Sequence, residues 1–238
     1  MRIALIGYGK MGKMIEEIAV ERGHQIALKI HTDNREELIK ENLAKTDVAI
    51  EFTSPHSAFN NVMKCLDCIV PVVSGSTGWN DKLEEAKQYC LQKNGSLLHA
   101  SNFSIGVNIF FQINQLLAKL MANQNSYDVQ LKEVHHTQKL DAPSGTAVTL
   151  AEQILSHITR KDKWVNAEAS NEQELSIISQ RIDPAPGTHH VKYTSDIDDI
   201  EIIHTAHNRK SFALGAVLAA EYIWDKKGVF SMKEVLGL

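Results

Sequence analysis

The segment from Glu133 to Ala147, Glu-Val-His-His-Thr-Gln-Lys-Leu-Asp-Ala-Pro-Ser-Gly-Thr-Ala, gathers two histidines, a lysine and a Ser-Gly-Thr step in one stretch of chain. Imidazoles titrate near neutrality, so His135 and His136 can give or take a proton at physiological pH. Lys139 adds a full positive charge beside them. The segment starts where a strand pattern ends and finishes where a helix pattern begins. Ser144 therefore stands at a helix cap, and Gly145 and Thr146 offer backbone N–H groups at the positive end of the helix dipole. Such an end is a ready anion site. The combination suits a carboxylate substrate that needs a proton.

A second constellation lies at the start of the chain. Gly7-Tyr8-Gly9-Lys10-Met11-Gly12 is a complete GxGxxG, placed after an apolar run and before a helical pattern. In that context the glycines allow a tight turn and close approach of a pyrophosphate to the helix N-terminus, so a dinucleotide is the expected ligand. An acidic residue after the second strand would bond the ribose 2′-OH of NAD, whereas basic groups would accept the 2′-phosphate of NADP. Here Asp33 lies among Lys29, His31 and Arg35, with Lys10 in the glycine turn. Use of both NADH and NADPH is the expectation.

Two further segments, Val73 to Gly78 and Ala100 to Ser104, end strand patterns with small and hydroxyl residues, at the place where open parallel sheets bind ligands. His204 and His207 have a spacing that could suit a metal, but they lack a third ligand in matching context, and no metal is expected. Cys65, Cys68 and Cys90 are too sparse for a disulfide framework; the lone CxxC reads as thiols at a helix–strand junction.

The elements that must position these groups follow from periodicity. Strand patterns cover Arg2 to Gly7, Gln25 to Ile30, Asp47 to Phe52, Ile69 to Ser74 and Ser96 to His99. Helical patterns alternate with them at Met11 to Ala19, Ala58 to Cys65 and Lys82 to Gln92. This repetition predicts βαβ units and a parallel sheet. From Ser104 the texture changes. A helix over 106–122 and an amphipathic helix through Leu150, Ile154, Leu155 and Ile158 accompany strands at Tyr127 to Val134, Glu174 to Ile182, His189 to Ser195 and Ile200 to Thr205. Here the pattern predicts helices segregated from antiparallel strands. A last helix from Ala213 to Lys226 is expected to return to the first domain. The expected architecture is an α/β Rossmann-type nucleotide-binding domain, 1–103 with 213–238, and a smaller α+β substrate and oligomerisation domain, 104–212.

Over 238 residues, 43% are hydrophobic and 23% charged, the composition of an ordinary globular protein, which excludes a disordered or collagen-like chain. A formal net charge of −4 lacks the basic excess of proteins that bind phosphate backbones, so nucleic acid is not an expected partner. No apolar run reaches the roughly 18–20 residues that span a bilayer, and the start of the chain has no signal-peptide layout. No membrane partner and a cytoplasmic location are expected.

The sequence resembles the dihydrodipicolinate reductase (4-hydroxy-tetrahydrodipicolinate reductase) family from Arg2 to about Trp224. Glu133 to Ala147 is the most specific shared segment. Further matching pieces are Glu51-Phe52-Thr53, Gly75 to Gly78, Asn102 to Gly106, and His204-Thr205-Ala206 through Arg209, Phe212, Ala213, Gly215 and Ala216. The resemblance implies a homotetramer that reduces a cyclic dicarboxylate in lysine and diaminopimelate synthesis with NADH or NADPH. It implies His135 as acid/base, Lys139 as catalytic lysine, His136 as a substrate contact, and Ser144, Gly145 and Thr146 as the carboxylate grip. Cofactor contacts are expected from the glycine turn, at Gly7, Gly9, Lys10, Met11 and Gly12, and from Asp33, and the resemblance adds Phe52, Gly75, Ser76 and Thr77, with Ala100, Asn102, Phe103, Arg209 and Phe212. The glycine turn departs from the family's usual GxxGxMG, and Ser76 and Ser101 replace the common Thr and Pro. Two alternatives share parts of the pattern: a two-domain amino-acid dehydrogenase, and a nucleotide-sensing protein without the proton donor.

Overall fold

The computed structural model describes residues 1–238. The chain divides into two compact units, 1–105 with 210–238, and 106–209.

In the first unit, β1 (Arg2–Ile6), α1 (Lys10–Glu21), β2 (Gln25–Ile30), α2 (Lys40–Leu43), β3 (Val48–Glu51), α3 (Pro55–Asp67), β4 (Val72–Ser74), α4 (Leu83–Gln92) and β5 (Ser96–His99) alternate along the chain. The central strands are short apolar runs buried on both faces, as a sheet covered by helices on each side requires. Pro55 opens α3 at a position where its missing N–H costs nothing. After α5 (Ile105–Met121), β6 (Asp128–His135), α6 (Gly145–Leu155), β7 (Lys163–Val165), β8 (Glu174–Arg181), β9 (Gly187–Thr194) and β10 (Asp199–Ala206), the chain completes the first unit with α7 (Lys210–Ile223), β11 (Gly228–Phe230) and α8 (Met232–Leu236). All pairs in the first sheet are parallel, in the order β11-β5-β4-β3-β1-β2. Ile15, Ile18 and Ala19 of α1 share one core with Ala213, Ala216, Val217 and Ala220 of α7. Ala58, Val62 and Leu66 of α3 share the other with Ala86 and Cys90 of α4. Strand order reverses beside β1, which opens a crevice beyond the carboxyl ends of β1 and β3.

The second unit holds a five-stranded sheet, β10-β9-β6-β8-β7. It differs from the antiparallel expectation: β10, β9 and β6 are antiparallel, but β6 pairs with β8, and β8 with β7, in parallel. The cause is α6, which follows β6 and carries the chain back to the start of the sheet. Ala147, Leu150, Ala151 and Ile154 of α6, with Phe110, Ala118 and Met121 of α5, pack on Val129, Leu131, Leu175, Ile177, Val191 and Tyr193 of the sheet. The short elements β7, β11, α2 and α8 carry no periodicity strong enough to be read from sequence.

Candidate active site

Period-two alternation along β6 turns Val129, Leu131, Glu133 and His135 to the buried face. In β9 the same alternation turns Gly187, His189, Val191 and Tyr193 inward. Register then sets Glu133 opposite His189 on one side and Ser179 on the other, with Arg181 opposite His135. The inward layer is thus apolar for most of its length and polar at one end.

Glu133 is fully buried. Its Oε1 accepts from the Ser144 backbone N–H at 3.0 Å, the Ser179 hydroxyl at 2.9 Å and Arg181 Nη2 at 3.2 Å. Its Oε2 lies 3.4 Å from His135 Nδ1 and 3.7 Å from His189 Nε2. The two imidazoles meet edge to face with centroids 5.1 Å apart. Burial raises the Glu133 pKa, but hydrogen bonds from Ser144 and Ser179 and the neighbouring His135 hold it below the ordinary carboxylate value. Burial lowers His135, an effect that Glu133 opposes, and pushes His189 down to about 3. The resting site therefore carries a carboxylate, a guanidinium and neutral imidazoles. The ligand atoms of Glu133, His135 and His189 lie within 4.8 Å of one another, a spacing a metal could use, but the Arg181 guanidinium already balances the carboxylate.

Ser144 caps α6: its hydroxyl accepts from the Ala147 N–H at 3.2 Å and lies 3.2 Å from His189 Nε2. Gly145 is exposed and Thr146 half-buried in the first turn of the helix. Arg181 also donates to the carbonyls of Asp141, at 2.6 Å, and Lys139, at 3.3 Å, so one guanidinium ties Glu133 to the Lys139 loop. Lys139 Nζ pairs with Asp141 at 2.8 Å, which helps to hold the Asp141 carboxyl below its ordinary value against the effect of burial. Asp183 accepts from the Thr137 N–H at 3.1 Å and hydroxyl at 2.6 Å and anchors the start of the loop. His136 is half-buried, with Nδ1 lacking a hydrogen-bond partner. The structure thus brings His135 and Lys139 into one cluster with Ser144. It adds His189, Arg181 and Ser179, which the sequence reading missed, and gives Glu133 a role. The signal available was the position of Glu133 and His189 at the inward spacing of the apolar residues Val129 and Leu131 in β6 and Val191 in β9.

In the first unit, Gly7 has φ +97°, and a Cβ there would lie 2.0 Å from the Phe52 carbonyl oxygen; at Gly12 it would lie 2.5 Å from that of Gly7. Gly9, the residue before α1, meets nothing within 4 Å. The first and third glycines let the chain pack, and the second leaves the space a pyrophosphate needs at the helix start. A cavity of about 670 Å³ opens there, lined by Gly7, Tyr8, Gly9, Phe52 and Thr53 and also by His31, Thr32, Arg35, His56 and Lys64. Asp33 is exposed and outside that lining. Lys10 is exposed and Met11 half-buried at the start of α1.

Beyond β4, a Cβ on Gly75 would come within 2.2 Å of the Phe52 ring, whose centroid lies 5.6 Å from that of Phe103 with the two planes tilted by 54°. Glu51 is fully buried and accepts from Ser74 at 2.6 Å, Ser76 at 2.8 Å and the Thr53 N–H at 2.9 Å, so one unforeseen carboxylate fixes the ends of two strands. Thr77 is exposed and Ala100 half-buried; Asn102 caps its own turn by accepting from the Ser104 N–H at 2.9 Å. Phe212 is half-buried in the first turn of α7, and Arg209 is exposed. The Gly9 space, the cavity and the adjoining aromatic pair fit a nicotinamide dinucleotide. His204 packs against Phe110 at 5.9 Å and joins no ligand cluster, and the cysteines are free thiols.

Residues 1–103 match the family described as Dihydrodipicolinate reductase, N-terminus, and residues 106–236 its C-terminus. The 4-hydroxy-tetrahydrodipicolinate reductase of Christiangramia forsetii is 49% identical over 236 residues, covering 99% of this chain and 98% of the relative. That of Neisseria gonorrhoeae is 31% identical over 230 residues, covering 94% and 84%. The solved structure of a dipicolinate-bound dihydrodipicolinate reductase from Paenisporosarcina sp. TG-14 has the same fold, with a TM-score of 0.81 at 24% identity over 98% of both chains. With both halves matched and a full-length relative at 49% identity, the chain belongs to the dihydrodipicolinate reductase family.

Proposed function

We propose that the protein reduces 4-hydroxy-tetrahydrodipicolinate to tetrahydrodipicolinate with NADH or NADPH, in the route to diaminopimelate and lysine. The observation that carries this reading is the cluster of His135, Glu133, Arg181 and Lys139 beside the N-terminus of α6, in a chain of this family. Overall the reaction takes one hydride and one proton and releases the 4-hydroxyl as water. Loss of the 4-hydroxyl together with a C3 proton, as water, first makes C4 part of a double bond conjugated to the ring imine, and the reduced nicotinamide, when bound, would supply the hydride that C4 then accepts. His135 then delivers the proton to C3 of the resulting enamine. Lys139 offsets substrate charge and supports this protonation. His136 contacts the substrate, while Ser144, Gly145 and Thr146 hold a carboxylate at the helix start.

Burial keeps His135 neutral in the resting site. A substrate with two carboxylates favours its imidazolium form, because nearby negative charge raises an imidazole pKa. The proton donor is thereby armed when the substrate arrives. We assign cofactor binding to 1–105 with 210–238 and substrate binding to 106–209. The basic residues Arg35 and Lys64 in the cavity lining support acceptance of a 2′-phosphate as well as a ribose hydroxyl.

We further infer a cytoplasmic homotetramer. Ile109, Ile113, Leu116 and Leu120 form an exposed apolar stripe at helical spacing on α5, and Ile200 and Ile203 are exposed on the edge strand β10; such surfaces are unusual unless covered. No helix is long and apolar enough to cross a membrane. The reading is tested by supplying the product of dihydrodipicolinate synthase and following NADH and NADPH oxidation separately. Substrate-dependent oxidation that His135→Gln lowers on the order of 10²-fold or more is expected. No oxidation with either nucleotide would refute it.

A further inference from the structure

We propose that Glu133 is a positioning residue for the proton transfer: it binds the Nδ1 edge of His135, so that Nε2 is the atom that serves the substrate. The inference rests on His135 being the proton donor, and it adds which nitrogen acts and what selects it.

The two oxygens of Glu133 have different surroundings. Oε1 is taken up by Ser144, Ser179 and Arg181, whereas Oε2 is buried and accepts no hydrogen bond. The polar atom nearest to Oε2 in the pairs it forms is His135 Nδ1 at 3.4 Å, itself buried without a partner. The other imidazole near Oε2, His189, is engaged through Nε2 with the Ser144 hydroxyl at 3.2 Å. The carboxylate thus has one oxygen spent on holding the loop and cap in place and one left for His135.

A neutral imidazole carries its proton on either nitrogen, and the partner of one nitrogen decides the state of the other. A carboxylate at Nδ1 selects the Nδ1–H form and leaves Nε2 to exchange a proton with the substrate. Space at Nε2 is provided by β9: a Cβ on Gly187 would lie 3.1 Å from that atom. The groups that face His135 are Glu133 from its own strand, Arg181 from β8, His189 from β9, and Lys139 and Asp141 from the loop that follows. Arg181 and Lys139 disfavour the imidazolium, and Glu133 is the buried carboxylate that favours it.

Two measurements test this. Nitrogen-15 NMR of the histidine rings in the wild-type protein near neutral pH, with the His135 signals identified by their loss in His135→Gln, should show the proton on Nδ1; a proton on Nε2 overturns the proposal. In the pH profile of kcat/KM, activity falls as pH rises through the pKa of the donor. In Glu133→Gln that fall should begin at lower pH, and kcat should drop on the order of 10²-fold or more, the scale seen where a histidine tautomer is lost. Cofactor affinity should stay within about twofold of wild type, and Glu133→Asp should restore part of kcat. An unmoved limb, or no recovery in the aspartate variant, overturns the proposal. The proton-donor reading is judged separately: it falls if His135→Gln keeps wild-type kcat, whatever the tautomer.

Discussion

At the scale of residues, side chains that are close in sequence have different surroundings. His135 is the last residue of β6, on its buried face with its Nδ1 by Glu133, and His136 is the first residue beyond the strand, half-buried and not among the groups paired with Glu133. His135→Gln and Lys139→Met should therefore lower kcat by roughly 10²-fold to 10⁴-fold, whereas His136→Gln should act chiefly on KM. Steady-state kinetics on the three variants decides between them, and a reversed pattern for the two histidines would exchange their roles. His189 makes a separate prediction. Burial pushes its pKa down to about 3 in the folded protein, while an unfolded histidine titrates near 6.5. Above about pH 6.5 both states are neutral. As pH falls from 6.5 towards 3, the unfolded chain takes up a proton that the folded site refuses, so stability declines across that window. Thermal melting should show this decline, with a shallower slope in His189→Asn; equal slopes would mean that His189 is not the group responsible.

At the scale of elements, the glycine turn separates what packing needs from what a ligand needs. Gly7 cannot carry a side chain, since a Cβ would collide with the Phe52 carbonyl, whereas Gly9 faces open space with φ −89°. Gly7→Ala should lower the melting temperature. Gly9→Val should leave it near wild type but weaken NADH binding at least about tenfold in calorimetry, a loss of roughly 1.4 kcal/mol. Retained affinity in Gly9→Val would place the pyrophosphate elsewhere. Much of this was legible in the sequence, because GxGxxG and the helix after it are local patterns. Alternation over 127–134 likewise marked β6 as a strand, ending one residue short of His135. The partners of Glu133 were not legible: it meets His189 and Ser179 only through pairing with β9 and β8, and long-range register is not written in any one strand. The parallel pairing of β8 escaped for the same reason. Asp33 and Arg35 could not be sorted by spacing alone, since only the path of the loop brings Arg35 to the cavity.

At the scale of the whole molecule, the proposed assembly rests on the exposed apolar stripe of α5. Leu116 is 59% and Leu120 64% exposed in the single chain, on a helix whose opposite face packs on the sheet. Leu116→Asp combined with Leu120→Asp should shift sedimentation from a tetramer to smaller species while the helical content is kept; an unchanged tetramer would move the interface to another surface. Transfer of a hydride to C4 leaves an isotopic mark. With a nucleotide carrying deuterium at the transferable position of its nicotinamide, and the product of dihydrodipicolinate synthase as substrate, one deuterium is expected at C4 of the tetrahydrodipicolinate formed. Deuterium on a carbon bonded to nitrogen, as reduction of a C=N bond in an amino-acid dehydrogenase would give, would contradict it.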